Sequence, residues 1–264
     1  MTSGGGSMTG RGRPVLQASW LGRVPYEVAW DLQRELFVAR LDGDIPDTLM
    51  LLEHPPTYTI GRRGIADDLV WDEAERARRG IEVFFVDRGG RATYHGPGQL
   101  VGYPILALGE RYDVLGYLRK LEAALIATAA DLGVSAGRDE RHTGVWVGSD
   151  KLAAIGVKIT RGVTMHGFAL NVTTDLTHFE GIIPCGLSDR GVTSIEAQTG
   201  IAHDLKEVAR LAANHLAGAF GSEVSFTHPG SLRPAHPADT RFDHGLGAND
   251  GAAELCSSSP APTG

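Results

Sequence analysis

Three successive segments, Gly144–Val147, Leu152–Ile159 and Val163–Asn171, read as strands joined by short turns. Such connections suit antiparallel neighbours, because a parallel pair needs a long crossover. Elsewhere the chain reads as helices at Tyr26–Leu41, Asp72–Arg79, Val114–Leu132 and Leu205–Ala219. Further strands are expected at Thr48–Glu53 (TLMLLE) and Ile81–Asp87 (IEVFFVD). In the first helix Val28, Leu32, Leu36 and Leu41 form the candidate apolar face. In the third, Asp113 is the expected N-cap and Gly133 the stop. Helices and strands do not alternate regularly, which predicts an α+β fold. Its central sheet is expected to be mixed, mostly antiparallel and flanked by helices, rather than doubly wound.

With 264 residues, 42% of them hydrophobic, the chain has enough apolar content for one large domain. Residues 1–13 are glycine-rich and polar and read as a flexible leader. From His228 onward the chain is rich in Pro, Gly, Ser and Ala, which predicts a disordered tail over 228–264. The folded domain is then expected at 14–227. A net charge of −7 argues against a nucleic-acid binder relying on general basicity. No run of about 18 apolar residues is present, so no membrane span is expected. Two cysteines cannot build a disulfide framework, so a reducing, cytoplasmic setting is expected. The motifs GxxxxGK[ST], HExxH and CxxC are absent, and no metal or nucleotide cofactor is expected.

Three stretches could carry chemistry. In GIIPCGLSDRGVTSI, Cys185 sits between Pro184 and Gly186, residues that exclude a helix interior and suit a turn presenting a thiol. A free thiol is only about 3% thiolate at pH 7, so a nucleophilic Cys185 needs a neighbouring cation. An inert core thiol is the alternative. Lysine is scarce, with Lys120, Lys151, Lys158 and Lys206 among 25 basic residues. A lysine kept in an arginine-rich chain suggests a group that must lose a proton. Residues 151 and 158 are an odd number apart, so a regular strand sends at most one of them into a given pocket. In DRGGRATYHGPGQLVGYPIL, Gly89 and Gly90 permit close backbone approach to a ligand, and Thr93, Tyr94 and His95 follow. This stretch reads as a site or as a glycine-rich hairpin. In VTMHGFALNV, His166-Gly167 reads as a close backbone approach or a β-bulge.

Together, RGGRATYHGPGQLVGYPI, KLAAIGVKITRGVTMHGFALNV and the Pro-Cys-Gly segment through VTSI resemble the signature blocks of the lipoyl(octanoyl) transferase family. They span about residues 87–195 in the right order, and HPPTYTIGRRG before them is similar to the family as well. The resemblance implies a biotin/lipoate protein ligase-like catalytic domain. It implies transfer of an octanoyl group from octanoyl-acyl carrier protein to a lysine ε-amine of lipoyl domains, in 2-oxoacid dehydrogenase complexes and in the glycine cleavage H protein. Cys185 would be the acyl-thioester nucleophile and Lys151, rather than Lys158, its activating partner. The acyl group would lie among Arg88, Gly89, Gly90, Arg91, Ala92, Thr93, Tyr94 and His95, together with Ala154, Ile155, Gly156, Gly167, Phe168 and Ala169. No cofactor and a monomeric state are expected. An ATP-dependent lipoate or octanoate ligase on the same fold, a binding scaffold and a cysteine hydrolase using His95 or His166 are the competing readings.

Overall fold

The computed structural model of the chain describes residues 13–183 and 190–232. Its first half holds strand β1 (Val15–Arg23), helix α1 (Tyr26–Asp42), strands β2 (Thr48–Glu53) and β3 (Thr57–Ile60) and helix α2 (Glu73–Arg78). Strands β4 (Glu82–Phe85), β5 (Ala92–His95) and β6 (Gln99–Ile105) follow. The second half holds helix α3 (Val114–Asp131), strands β7 (Val145–Val147), β8 (Asp150–Thr160) and β9 (Val163–Asn171), helices α4 (Ile195–Thr199) and α5 (Leu205–Ala219), and strand β10 (Glu223–Phe226).

A seven-stranded sheet runs in the order β10-β1-β2-β6-β9-β8-β7, and β4-β3-β5 form a separate three-stranded sheet. In the large sheet β1 is parallel to β10 and to β2, and the remaining neighbours are antiparallel. This is the mixed, mostly antiparallel α+β architecture that the short turns predict. The reason TLMLLE is apolar throughout lies in its place at mid-sheet. Leu49 and Leu51 enter the core formed with α3 and α5, while Met50 and Leu52 enter the opposite core under α1. The ends of α3 follow the local chemistry. The Asp113 carboxylate accepts the Gly116 N–H at 2.9 Å, and Gly133 takes φ 83° just past the helix.

Two expectations change. On α1 the expected face holds for Leu32, Leu36 and Leu41, which pack against the core, but not for Val28, which is 54% exposed; Tyr26, Ala29, Gln33 and Phe37 are buried as well. The buried Gln33 is placed among them, and its Oε1 accepts the His166 N–H of β9 at 2.9 Å. The stretch after Arg91 is not a hairpin within one sheet. β5 pairs with β3 in the small sheet and β6 with β2 and β9 in the large one, so the Gly96–Gly98 turn carries the chain between sheets. Beyond Thr227 the described chain continues through a single 3-10 turn at Pro229–Ser231, and Leu232 is buried in the core under α1. Among the described residues no helix is long and apolar enough to cross a membrane.

Two glycines test this packing in opposite directions. A Cβ on Gly167 would collide with the Gly102 carbonyl oxygen and with Pro104 Cδ on β6. Gly167→Ala is therefore expected to lower the unfolding free energy by about 2 kcal/mol or more in urea titrations. Gly218, in α5, has nothing within 4 Å of such a Cβ, and Gly218→Ala is expected to raise stability by about 0.5–1 kcal/mol. Equal effects at the two positions would contradict the strand packing described here.

Candidate active site

The small sheet meets the large one through residues 87–91. The Gly89 N–H donates to the Val157 carbonyl of β8 at 3.0 Å. Neighbouring Gly156 leaves no space for a side chain: a Cβ there would lie 3.0 Å from the Gly89 oxygen and 3.1 Å from Arg88 Cδ. Beside this junction opens a cleft of about 810 Å³, its mouth included. Ala154, Ile155 and Gly156 of β8 and Gly167, Phe168 and Ala169 of β9 give it an apolar wall. Arg88, Gly89, Gly90, Ala92, Thr93 and His95 face them. All twelve are residues that the family resemblance implies around an acyl group. Arg88 is held rigidly, 8% exposed, with Nη2 donating to the Thr59 carbonyl at 2.7 Å and to Thr59 Oγ1 at 2.8 Å.

Arg91 and Tyr94 do not line the cleft. Arg91 turns to the buried Asp68 carboxylate, with Nε 3.2 Å from Oδ2. Alternation along β5 points Tyr94 away, and its ring stacks on His178 at 4.9 Å between centroids. Several lining residues escape the sequence reading, including Tyr26, Gln99, Tyr103 and Thr143. Asn171 is another, although period-two spacing from Gly167 and Ala169 on β9 gives its signal. Gln99 and Tyr103 share one face of β6 by the same alternation, whereas Tyr26 on α1 and Thr143 before β7 come from separate segments and carry no such signal.

A chain of hydrogen bonds runs beneath the cleft. The Asn171 amide donates to the Thr193 carbonyl at 2.9 Å, and Gln99 Nε2 donates to Asn171 Oδ1 at 2.9 Å. Gln99 Oε1 is thereby turned to His95 Nδ1 at 2.9 Å, so that nitrogen carries the proton. His95 Nε2 faces Thr59 Oγ1. Both ring nitrogens of His95 are engaged, and burial, with His54 and Arg88 nearby, pushes its pKa well down. His54 is equally enclosed. Its Nδ1 donates to the Val24 carbonyl and its Nε2 accepts the Tyr103 hydroxyl, each at 2.7 Å.

Of the two candidate lysines, Lys151 lines the cleft and Lys158 does not. Lys158 Nζ donates to Asp87 Oδ2 at 2.6 Å, while Asp87 Oδ1 accepts from His166 Nε2 at 2.7 Å. These contacts hold the Asp87 carboxyl far below the usual range against the opposing effect of its burial. His166 pays for its place with a left-handed backbone, φ 57°, a conformation costing a side-chain-bearing residue about 1–2 kcal/mol. The pairing of β9 with β8 runs through His166 without a register shift, so of the two alternatives the close backbone approach, at Gly167 against Gly102, is the one present and the β-bulge is not. The Lys151 backbone is tied to the segment after the candidate nucleophile: its N–H donates to the Gly191 carbonyl and its carbonyl accepts the Thr193 N–H, both at 3.0 Å. Cys185, Pro184 and Gly186 lie outside the described residues, as does Cys256. Among the described residues no group of three or more His, Cys, Asp or Glu side chains could hold a metal ion.

The buried histidines predict acid sensitivity. Burial lowers the His54 pKa to about 4, against about 6.5 in an unfolded chain. A depressed folded value means that stability is fully present above pH 6.5 and is lost as pH falls toward 4. The loss from His54 is about 3 kcal/mol, and His95 and His166 act in the same direction. Unfolding free energies from urea titrations should fall between pH 6.5 and 4.5, and His54→Gln should flatten that slope. An unchanged slope in His54→Gln would contradict the buried, neutral ring.

The model of the lipoyl protein ligase A/B catalytic domain matches residues 25–217. An octanoyltransferase of Acidobacterium capsulatum is 47% identical over 237 residues, covering 83% of this chain and 96% of the relative. An octanoyltransferase of Mycolicibacterium gilvum is 48% identical over 203 residues, covering 75% and 82%. Among solved structures, lipoate-protein ligase A bound with ATP superposes with a TM-score of 0.66 at 18% identity, over 84% of this chain and 93% of that one. A bi-partite lipoate protein ligase from Thermoplasma acidophilum gives 0.66 at 18% identity over 83% and 91%. The ligase structures share the fold, and the family match with these near-half identities shows that the chain belongs to the lipoyl protein ligase A/B catalytic-domain family.

Proposed function

We propose that this enzyme transfers an octanoyl group from octanoyl-acyl carrier protein to a lysine ε-amine on lipoyl domains, with Cys185 as the acyl carrier. The observation that carries the reading is near-half identity to octanoyltransferases across most of both chains. The acceptors are the lipoyl domains of 2-oxoacid dehydrogenase complexes and the glycine cleavage H protein. The site is taken as complete in a cytoplasmic monomer.

The chemistry proceeds in two steps. The Cys185 thiolate attacks the carrier thioester, the carrier thiolate departs with a proton from Lys151, and an octanoyl-enzyme thioester forms. The acceptor lysine then attacks that thioester, Lys151 takes the proton from the incoming amine, and the Cys185 thiolate leaves. Thioester exchange is nearly isoenergetic and amide formation runs downhill, so no nucleotide is consumed. The apolar wall at 154–156 and 167–169 suits an unbranched aliphatic chain, and Lys151 lines the same cleft. A histidine-based hydrolase draws no support from His95, whose two ring nitrogens are already engaged. The likeness to ATP-dependent ligases extends to the fold alone.

Intact-protein mass after incubation with octanoyl-acyl carrier protein tests the route. Wild type should gain one octanoyl group, lose it on addition of a lipoyl domain, and show no gain as Cys185→Ser. Lys151→Arg, which keeps the charge but does not give up a proton near neutral pH, should lower turnover by about a hundredfold or more. Transfer that needs ATP and free octanoate and survives Cys185→Ser would replace this reading with the ligase one.

A further inference from the structure

The described surroundings of Lys151 hold a residue to which the reaction as written gives no part. β7 and β8 slip register between Val145 and Trp146, so that Val145 pairs with Ala153 but Trp146 with Lys151. Directly paired residues share a face of the sheet. The Lys151 ammonium consequently lies 4.7 Å from the centre of the Trp146 ring. The ring itself is fixed. Trp146 is 4% exposed, its Nε1–H donates to the His142 carbonyl at 3.2 Å, and its backbone exchanges two hydrogen bonds with Gly137. Gly144, at φ 137°, passes beside the lysine stem: a Cβ there would lie 3.6 Å from Lys151 Cε. On the same indole, Arg190 Cζ sits 5.0 Å from the ring centre, and its guanidinium is held by Asp139 at 2.7 Å.

A lysine side chain loses substantial rotamer entropy when it is held in one place, and proton transfer needs donor and acceptor within about 3.2 Å. A proton-shuttling lysine therefore gains from a surface that holds the ammonium without donating or accepting a proton. An indole face does this, because its quadrupole attracts a cation and offers no base. A carboxylate in that place would bind the ammonium and compete for its proton. We propose that Trp146 is a positioning residue for Lys151, holding the ammonium by its π face at the cleft, with Arg190, from the segment that follows Cys185 and itself held by Asp139, against the same ring. The proposal rests on the role of Lys151 given above, and its test separates the two.

Replacing Trp146 alone by tryptophans of increasing fluorination keeps the shape and drains the ring quadrupole. Turnover should fall progressively, roughly tenfold across the series, with KM for the octanoyl carrier and the thermal midpoint unchanged. A flat series means that the ring acts by packing and overturns the proposal. Trp146→Phe should keep most of the turnover that Trp146→Leu loses. In a Lys151→Met background, Trp146→Leu should cost nothing further in the residual rate of acyl-enzyme formation. A further loss there of the same size would also overturn it. Full turnover of Lys151→Met by itself would remove the role of Lys151, and the positioning role with it.

Discussion

The Gly89–Val157 hydrogen bond, with the Asp87 carboxylate beside it, joins the two sheets, and the cleft exists because of that junction. Asp87 reaches β8 through Lys158 and β9 through His166, so one side chain holds the loop against two strands. The loop then brings Arg88 and Gly90 over the apolar wall. Neither sheet forms the cleft alone: the large one supplies a flat apolar surface, and the small one supplies the opposing side and the buried polar layer behind it.

The glycines are consequences of this closeness. Gly156 meets the Gly89 oxygen and Arg88, and Gly61 would strike the Gly90 oxygen and the Arg88 guanidinium if it carried a side chain. A slot formed where backbone lies on backbone is narrow and lined by small groups. The enclosed histidines behind it are kept neutral by burial and directed by their partners, as His95 is by Gln99. They act as hydrogen-bonded structure, which leaves the proton transfer to the lysine in the reaction proposed above.

Much of this was legible in the residues. TLMLLE announces a strand buried on both faces, and Asp113 with Gly133 bounds α3 by capping chemistry that needs no tertiary context. The odd spacing of Lys151 and Lys158 anticipates that one cleft receives only one of them. What the sequence hides depends on contacts made at a distance. β3 and β5 are four residues long, too short for a periodic signal, and the small sheet they build is therefore not evident. Val28 matches helical spacing as well as Leu32 and Leu36 do, and only the packing of α1 on the sheet leaves it exposed. Arg91 belongs to the same glycine-rich block as Arg88, yet a buried Asp68 from another segment takes it. The partnership of Trp146 with Lys151 needs the register slip between β7 and β8, and no spacing rule reveals it.

The central claim is that the cleft between the 87–91 junction and strands β8 and β9 holds the acyl chain. The most direct measurement is a crystal structure of the enzyme acylated from an ω-bromo-octanoyl thioester, with the bromine located by anomalous scattering. The account predicts a single bromine peak inside the cleft, between the Arg88–Gly90 loop and the Gly156 and Gly167 backbones. A bromine peak outside it, for instance against the exposed Phe85 or in the solvent beyond Lys151, would contradict the account.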